Sequence, residues 1–361
     1  LFIKEVDDYL NSQAYAGYPI FVTSNKKQVY NIPCSFDIEA SSFYDEGTRA
    51  TAACMYIWQF GFNGSVIYGR TWDEFFEFLE MFAEYLQLGP DRWIYIYVHN
   101  LSYEFQWIKK YFEWDEIFAL KKRKVAKAIF SPLGLEFRCS YLLTNAGLAH
   151  VSDKLITRYP VKKLVGNLDY YLVRSSETLL TKPEIDYAMN DVRVVMSLIQ
   201  EKIEIDGGID HIPLTNTGYV RMFIRSCCMP DKYYSTKYHQ IMNSLVIDSE
   251  EEYDQNKRAI GGGFTHTGII HANKVCYEVF GADRTSAYPY EMVASYFPMS
   301  RAKFIGAPKS QEEFIDYLNS YCCIFDIEFT NLLPAVEYEN YLSIHKCIAE
   351  DFTLNNGRIV S

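Results

Sequence analysis

Between Cys34 and Ala40 the chain reads Cys-Ser-Phe-Asp-Ile-Glu-Ala. Successive side chains of a strand leave on opposite faces, so Phe36 and Ile38 bury on one face while Asp37 and Glu39 project together from the other. Two carboxylates side by side repel each other, and a divalent cation that favours hard oxygen ligands, Mg2+ or Mn2+, relieves that repulsion. An isolated Asp-x-Glu is also what a solvated strand face looks like. The choice between the two rests on partners elsewhere in the chain.

With 361 residues, 49% of them hydrophobic, the chain can bury a sizeable core and has the length of two or three domains. It contains no run of about 18 apolar residues, and Leu1-Phe2-Ile3-Lys4-Glu5 lacks the order of a signal peptide, so the expectation is a cytoplasmic protein with no membrane partner. Its nine cysteines include the vicinal pairs Cys227-Cys228 and Cys322-Cys323 but no Cys-x-x-Cys, which points to reduced thiols and away from a zinc site. A net charge of −11 excludes a general polyanion-coating protein but not a channel with local basic patches. Lys121-Lys122-Arg123-Lys124, followed by Lys127, is one such patch and Lys162-Lys163 a smaller one, although either could be a solvated face.

In chain order, Leu1 to Ile20 reads as a lead-in helix ending in the turn Ala16-Gly17-Tyr18-Pro19. The strand with Asp37 and Glu39 is followed by strands Thr51 to Phe60 and Ser65 to Arg70, joined by a turn at Gly61-Phe62-Asn63-Gly64. A helix follows over Trp72 to Leu88, then a buried strand over Trp93 to Val98 and a helix over Leu101 to Phe112. Asp115 to Lys121, Val125 to Ser131 and Leu135 to Ser140 read as strands, and Tyr141 to Thr157 and Pro183 to Ile205 as helices. Three strands, helix, strand, helix and a closing helix is the element order of a ribonuclease-H-like α/β sheet, which carries carboxylates on its first strand and last helix.

The candidate partners lie where that order puts them. His99-Asn100-Leu101-Ser102-Tyr103-Glu104 follows the buried strand, with Glu104 in the first helical turn. Tyr187 and Asp191 are four residues apart on the closing helix and share a face. Asn100 could equally be only the N-cap of its helix, and Tyr187 only an interface aromatic.

Together these segments resemble the three exonuclease motifs of family B DNA polymerases, most closely the protein-primed phage polymerases: Asp37-Ile38-Glu39, then Asn100 with Glu104, then Tyr187 with Asp191. The resemblance implies a DEDD-type 3′ to 5′ proofreading exonuclease that uses two Mg2+ or Mn2+ ions about 3.5–4 Å apart. It makes Asp37, Glu39, Glu104 and Asp191 the metal-holding residues and gives Tyr187 the task of orienting the water or the scissile phosphate. It also implies contacts to a single-stranded DNA 3′ end from His99, Asn100, Tyr103 and Ser140, with frayed bases stacking on aromatics. Two departures stand out. Glu104 occupies a position that is usually Asp, and Val165 stands where the protein-primed members carry a Lys, so that Lys163 or Lys162 would have to substitute.

Beyond Gly207-Gly208, the run Gly261-Gly262-Gly263 resembles the family's Tyr-x-Gly-Gly motif, with Gly262 and Gly263 as template contacts and Ile260 in place of the Tyr. After a strand expected over Lys274 to Ala282, Asp283-Arg284-Thr285-Ser286-Ala287-Tyr288-Pro289 resembles polymerase motif A. By that resemblance Asp283 is a catalytic metal ligand of nucleotidyl transfer, Ser286 meets the dNTP, and Tyr288 rejects a 2′ hydroxyl. Phe325-Asp326-Ile327-Glu328 repeats the opening pattern without companion acids and reads as a decoy facing solvent. Asn355-Asn356-Gly357-Arg358 reads as a hairpin signal without its returning strand, and neither motif B nor motif C precedes Ser361.

The expected organisation is a lead-in over 1–30, a ribonuclease-H-like exonuclease domain over 31–206, a connecting segment over 207–258, and the beginning of an α+β polymerase palm over 259–361, truncated before motifs B and C. The resemblance thus implies the N-terminal portion of a viral DNA-directed DNA polymerase that acts in DNA replication in the host cytoplasm, with primer-template DNA, a dNTP and, in protein-primed replication, a terminal protein as partners. Taken alone, the chain is expected to be an exonuclease only. A stand-alone DEDD exonuclease and a catalytically silent nucleic-acid-binding subunit remain open as alternatives.

Overall fold

A computed structural model describes residues 17–23, 26–46, 50–164, 172–260, 271, 273–333, 347–349 and 355–360. They fall into two compact units, Leu1–Ser226 and Cys227–Ser361.

The first unit is mixed α/β, built on a mixed sheet. Its strands are β1 (Ile20–Val22), β2 (Gln28–Tyr30), β3 (Cys34–Asp45), β4 (Ala50–Phe62), β5 (Ser65–Gly69), β6 (Arg92–Val98), β7 (Glu116–Lys121), β8 (Lys124–Phe130) and β9 (Leu135–Cys139). The order across the sheet is β5-β4-β3-β6-β9-β8-β7, with β2 also pairing β6. β3, β4 and β5 form an antiparallel meander, β3-β6-β9 a parallel centre, and β9-β8-β7 an antiparallel edge. The β4–β5 hairpin closes on Asn63-Gly64, both at positive φ (44° and 89°), the backbone that a two-residue turn between right-twisted strands requires.

Helices cover both faces. Helix α1 (Trp72–Leu86) starts at a capping box in which Thr71 Oγ1 accepts from Glu74 N at 3.2 Å and Glu74 Oε2 accepts from Thr71 N at 2.9 Å. It buries Phe75, Phe78, Leu79, Phe82 and Leu86. These stack on the β3–β4 aromatics, with Phe36 and Phe75 4.7 Å apart and Phe60 and Phe82 5.1 Å apart between centroids. Helix α2 (Leu101–Ile108) packs on the same face. On the opposite face, helix α3 (Lys182–Asp206) lays Val194, Val195, Leu198 and Ile199 over Trp93, Tyr95 and Tyr97 of β6. The period-2 alternation of β6 sends Ile94, Ile96 and Val98 to the α1–α2 face, so the strand is buried on both sides. Among the described residues no helix is long and apolar enough to cross a membrane.

Four expectations need correction. Ile20 opens β1, where it pairs with Tyr30, because cross-strand bonding overrides the helical periodicity of its segment; residues 1–16 of the expected lead-in helix lie outside the described residues. The helix expected over Tyr141 to Thr157 is broken into Ser140–Thr144, Leu148–His150 and a π-turn over Val151–Leu155. Asn145 ends the first piece in the left-handed conformation at φ 53°. Lys274 to Ala282 is not a strand: Val275, Tyr277, Val279 and Phe280 are 75–95% exposed and Glu278 sits at φ 57°, so the segment has no ladder among the described residues. In the second unit, β10 (Asp326–Phe329), β11 (Ile348–Ala349) and β12 (Gly357–Val360) form a sheet in the order β10-β12-β11. The strand after Asn355-Asn356 therefore has two antiparallel partners upstream and needs no returning strand.

Candidate metal centre

The site is built where β3 passes beneath α3. Ser35 is fully buried and its Oγ donates to the Val192 carbonyl at 2.9 Å, fixing β3 against the turn of α3 that carries Asp191. Close packing on β4 supports the same contact. A Cβ at Gly61 would stand 2.6 Å from Ser35 Oγ and 2.8 Å from Met196 Cε, so a larger residue would have to displace the Ser35 hydroxyl and the end of the Met196 side chain.

In this setting Asp37, Glu39 and Asp191 each offer a ligand oxygen, all within 4.8 Å of one another. Glu104 comes from the first turn of α2 and is 3% exposed, with Oε2 buried and without a hydrogen-bond partner. It lies outside the three-ligand group but acts on Asp37, whose carboxyl burial pushes far above the ordinary range and whose neighbours Glu104, Glu39 and Asp191 push the same way. Burial lifts Glu39 to about 7, with the Asp191 charge adding to it and Lys163 and Arg174 opposing it. Burial likewise raises Glu104 to about 8 and Asp191 above its usual value, where Lys163 restrains it.

Lys163 is the cation paired directly with one of these acids. Its ammonium donates to Asp191 Oδ1 and stands 4.1 Å from the centre of the Tyr187 ring, one turn back along α3. The segment bearing it is held by two side chains that sequence reasoning missed. Asn190 Oδ1 accepts from Leu164 N at 2.7 Å while Asn190 Nδ2 donates to Lys162 O at 3.1 Å. Ser152 Oγ accepts from Lys163 N at 2.7 Å and donates to Val161 O at 2.6 Å. Lys163, rather than Lys162, thus meets the acids; Val165 lies outside the described residues. Arg174, also missed, pairs with Glu184 at 2.7 Å and lowers Glu39.

An all-oxygen donor set, mutual repulsion among four carboxyls and an orphaned Glu104 oxygen fit a divalent hard cation. Asp37, Glu39 and Asp191 are the residues that could hold one, with Glu104 beside them.

The expected strand-contacting residues divide. Asn100 is exposed at the N-cap of α2, where its side chain makes no capping bond and its backbone is left-handed at φ 73°, a conformation Asn adopts more readily than most residues. Tyr103 is 46% exposed near Glu104, Glu39 and Asp37. Ser140 is fully buried and its Oγ lies 3.2 Å from His99 Nδ1. Burial lowers His99 to about 4, so the ring is neutral at pH 7. These two side chains thus partner one another.

In the second unit Asp283, Ser286 and Tyr288 are all close together in sequence, but Asp283 joins no acidic cluster among the described residues. Ser286 is the N-cap of a helix over Ala287–Ala294 at φ 54°, and Tyr288 is 71% exposed. Gly262 and Gly263 lie outside the described residues. Asp326 is held bidentately by Arg358 at 2.6 and 2.7 Å. No companion acid joins it in a metal-holding group among the described residues.

No protein-family model matches the chain, and no curated protein does. Among solved structures it is similar to phi29 DNA polymerase complexed with primer-template DNA and incoming nucleotide substrates, at TM-score 0.47 and 13% identity over 67% of this chain and 41% of that one. It is also similar to phi29 DNA polymerase complexed with single-stranded DNA, at TM-score 0.45 and 14% identity over 65% and 40%. Phi29 DNA polymerase is a protein-primed member of family B. The chain spans about two fifths of the length of these polymerase chains.

Proposed function

We propose that residues 31–206 form a ribonuclease-H-like 3′ to 5′ exonuclease acting on single-stranded DNA ends, and that the chain is the N-terminal portion of a protein-primed family B DNA polymerase in which 259–361 begins the palm. The observation that carries the nuclease reading is the convergence of Asp37 and Glu39 from β3 with Asp191 from α3 within 4.8 Å, in the sequence order of the family's motifs.

Asp37, Glu39 and Asp191 would hold two Mg2+ or Mn2+ ions, with Glu104 contributing its orphaned oxygen. Bound there, the ions would lower the pKa of an attacking water and stabilise the charge on the leaving 3′ oxygen. Tyr187 and Lys163 stand together at the Asp191 edge, where a phenol and an ammonium can orient the scissile phosphate and offset its charge. Tyr103, exposed beside the acids, offers a face on which the terminal base can stack. Asn100, with no capping bond, can donate to the strand.

The polymerase part of the reading rests on the Asp283 to Pro289 resemblance.

A 5′-labelled single-stranded oligonucleotide incubated with Mg2+ or Mn2+ tests the nuclease. A 3′ to 5′ ladder with the natural chain and none with Asp37→Ala, Glu39→Ala is expected. No ladder from a folded sample in either metal would refute the reading.

A further inference from the structure

The tip of the β7–β8 hairpin is a second feature with no role in cutting. Lys121 and Lys124 pair across the ladder and Lys122-Arg123 make the turn, so four cations occupy consecutive positions on a protein whose net charge is −11. Like charges facing each other across a strand pair are destabilising. Among the described residues none of the four meets a carboxylate: the neighbouring ion pair of the hairpin is Lys127–Glu116, farther down the ladder. Arg123 also sits at φ 59°, a left-handed backbone that is unfavourable for a non-glycine residue. Charge and backbone both argue that the tip is not shaped for stability.

The tip walls a cavity of about 230 Å³ that it shares with Asn100, Ser102 and Tyr141 and that contains no acidic side chain. The β8 strand just after the tip is tied to this wall, since Ser102 Oγ accepts from Val125 N at 3.0 Å. Ser102 lies two residues before Glu104 on α2, so the helix that delivers an acid to the metal centre also lines the cavity, from a different face. The volume is below the roughly 300 Å³ at which small-molecule pockets begin, too small for a whole nucleotide ligand but suited to one sugar-phosphate step of a chain that continues beyond it. Tyr141, 38% exposed, adds an aromatic face beside the cations. Cations alone would suit any anion; cations with an aromatic wall and an open-ended cavity suit a polynucleotide with unstacked bases.

We propose that the Lys121–Lys124 tip is a phosphate clamp for single-stranded nucleic acid, gripping the backbone on the 5′ side of the end presented to the acids. It rests on the exonuclease reading only for the polarity of the strand.

The test is fluorescence anisotropy of a 5′-labelled 20-nucleotide single strand in EDTA, comparing the natural chain with Lys122→Ser, Arg123→Gly. The glycine relieves the left-handed turn, so the variant's melting temperature is expected to be unchanged or higher and lost binding cannot be misfolding. The clamp predicts a Kd raised at least about tenfold at low salt, and a slope of log Kd against log salt reduced by about 1.4, the single-strand value for two phosphate contacts. An unchanged Kd and slope, or no binding by the natural chain, would overturn it. Tighter, equally tip-dependent binding of a blunt duplex would overturn the single-strand assignment. Hydrolysis in Mg2+ is scored separately on the same samples. Tip-dependent binding without hydrolysis sustains the clamp and removes the nuclease; hydrolysis with tip-independent binding does the reverse.

Discussion

The Lys163 ammonium stands 4.1 Å from the centre of the Tyr187 ring while it donates to Asp191, the acid one turn along the same helix. One cation therefore touches both residues of the third motif. It is the nearest counter-charge to a group of carboxylates that burial and mutual repulsion have all pushed upward. Removing it as Lys163→Met leaves Asp191 without its partner. With both side chains less than 20% exposed, the metal-free chain should lose about 2–4 kcal/mol at pH 8. Saturating Mg2+ should restore most of the loss, because the ions neutralise the same carboxylates. Urea titrations with and without Mg2+ measure both effects.

The pH dependence of stability has a definite sign. Glu39 and Glu104 have ordinary values of 4.5 and folded values of about 7 and about 8. Between those limits the folded chain holds protons that the unfolded chain has released, and stability falls as pH rises. The metal-free chain should thus melt progressively lower from pH 5 to pH 8, by at least about 5 °C at 2–4 °C per kcal/mol. With 5 mM Mg2+ the trend should flatten or reverse, and calorimetry in two buffers of different ionisation enthalpy should register proton release on metal binding near pH 6.5. Melting curves across that range check the first statement.

Asn190 acts through Lys163. Asn190→Ala removes the acceptor for Leu164 N and the donor to Lys162 O, leaving backbone groups unsatisfied at a cost of about 1–3 kcal/mol. The expected signature is a fall in kcat of about tenfold or more with Mn2+ affinity within about threefold of the natural value, since Asp37, Glu39 and Asp191 are untouched. A purely structural role for Asn190 would lower stability and leave kcat per folded molecule unchanged.

In the proposed exonuclease site Glu104 stands where the resemblance expects an Asp, and its effect can be divided into charge and reach. Glu104→Gln keeps the shape and removes a charge that raises Asp37, so the metal-free chain should be stabilised at pH 8 while exonuclease activity falls at least about a hundredfold. Glu104→Asp keeps the charge and should stay within about tenfold of the natural rate. Gel-based rates with both variants, alongside their melting temperatures, settle the comparison.

Much of this was legible in the sequence, for local reasons. The period-2 pattern of Phe36-Asp37-Ile38-Glu39, the Asn63-Gly64 turn and the helical spacing of Phe75, Leu79, Phe82 and Leu86 each act over a few residues. What escaped depends on contacts across long stretches of chain. Ser35 reaches Val192 over 157 positions, and Asn190 organises a segment 26 and 28 positions away, and neither residue type carries a pattern that announces it. Lys274 to Ala282 failed in the opposite direction. Its alternating Val275, Tyr277 and Val279 satisfy the strand pattern, but a strand exists only with a partner to bond, and the described residues supply none.

The most direct measurement is a count of Mn2+ ions by electron paramagnetic resonance, titrating the chain in the presence of a short oligonucleotide blocked at its 3′ end by a phosphorothioate. The expected result is two bound, spin-coupled ions per chain, reduced to at most one weakly held ion in Asp37→Asn. Saturation without any bound Mn2+, or the same two ions in the variant, would contradict a metal centre made by Asp37, Glu39 and Asp191.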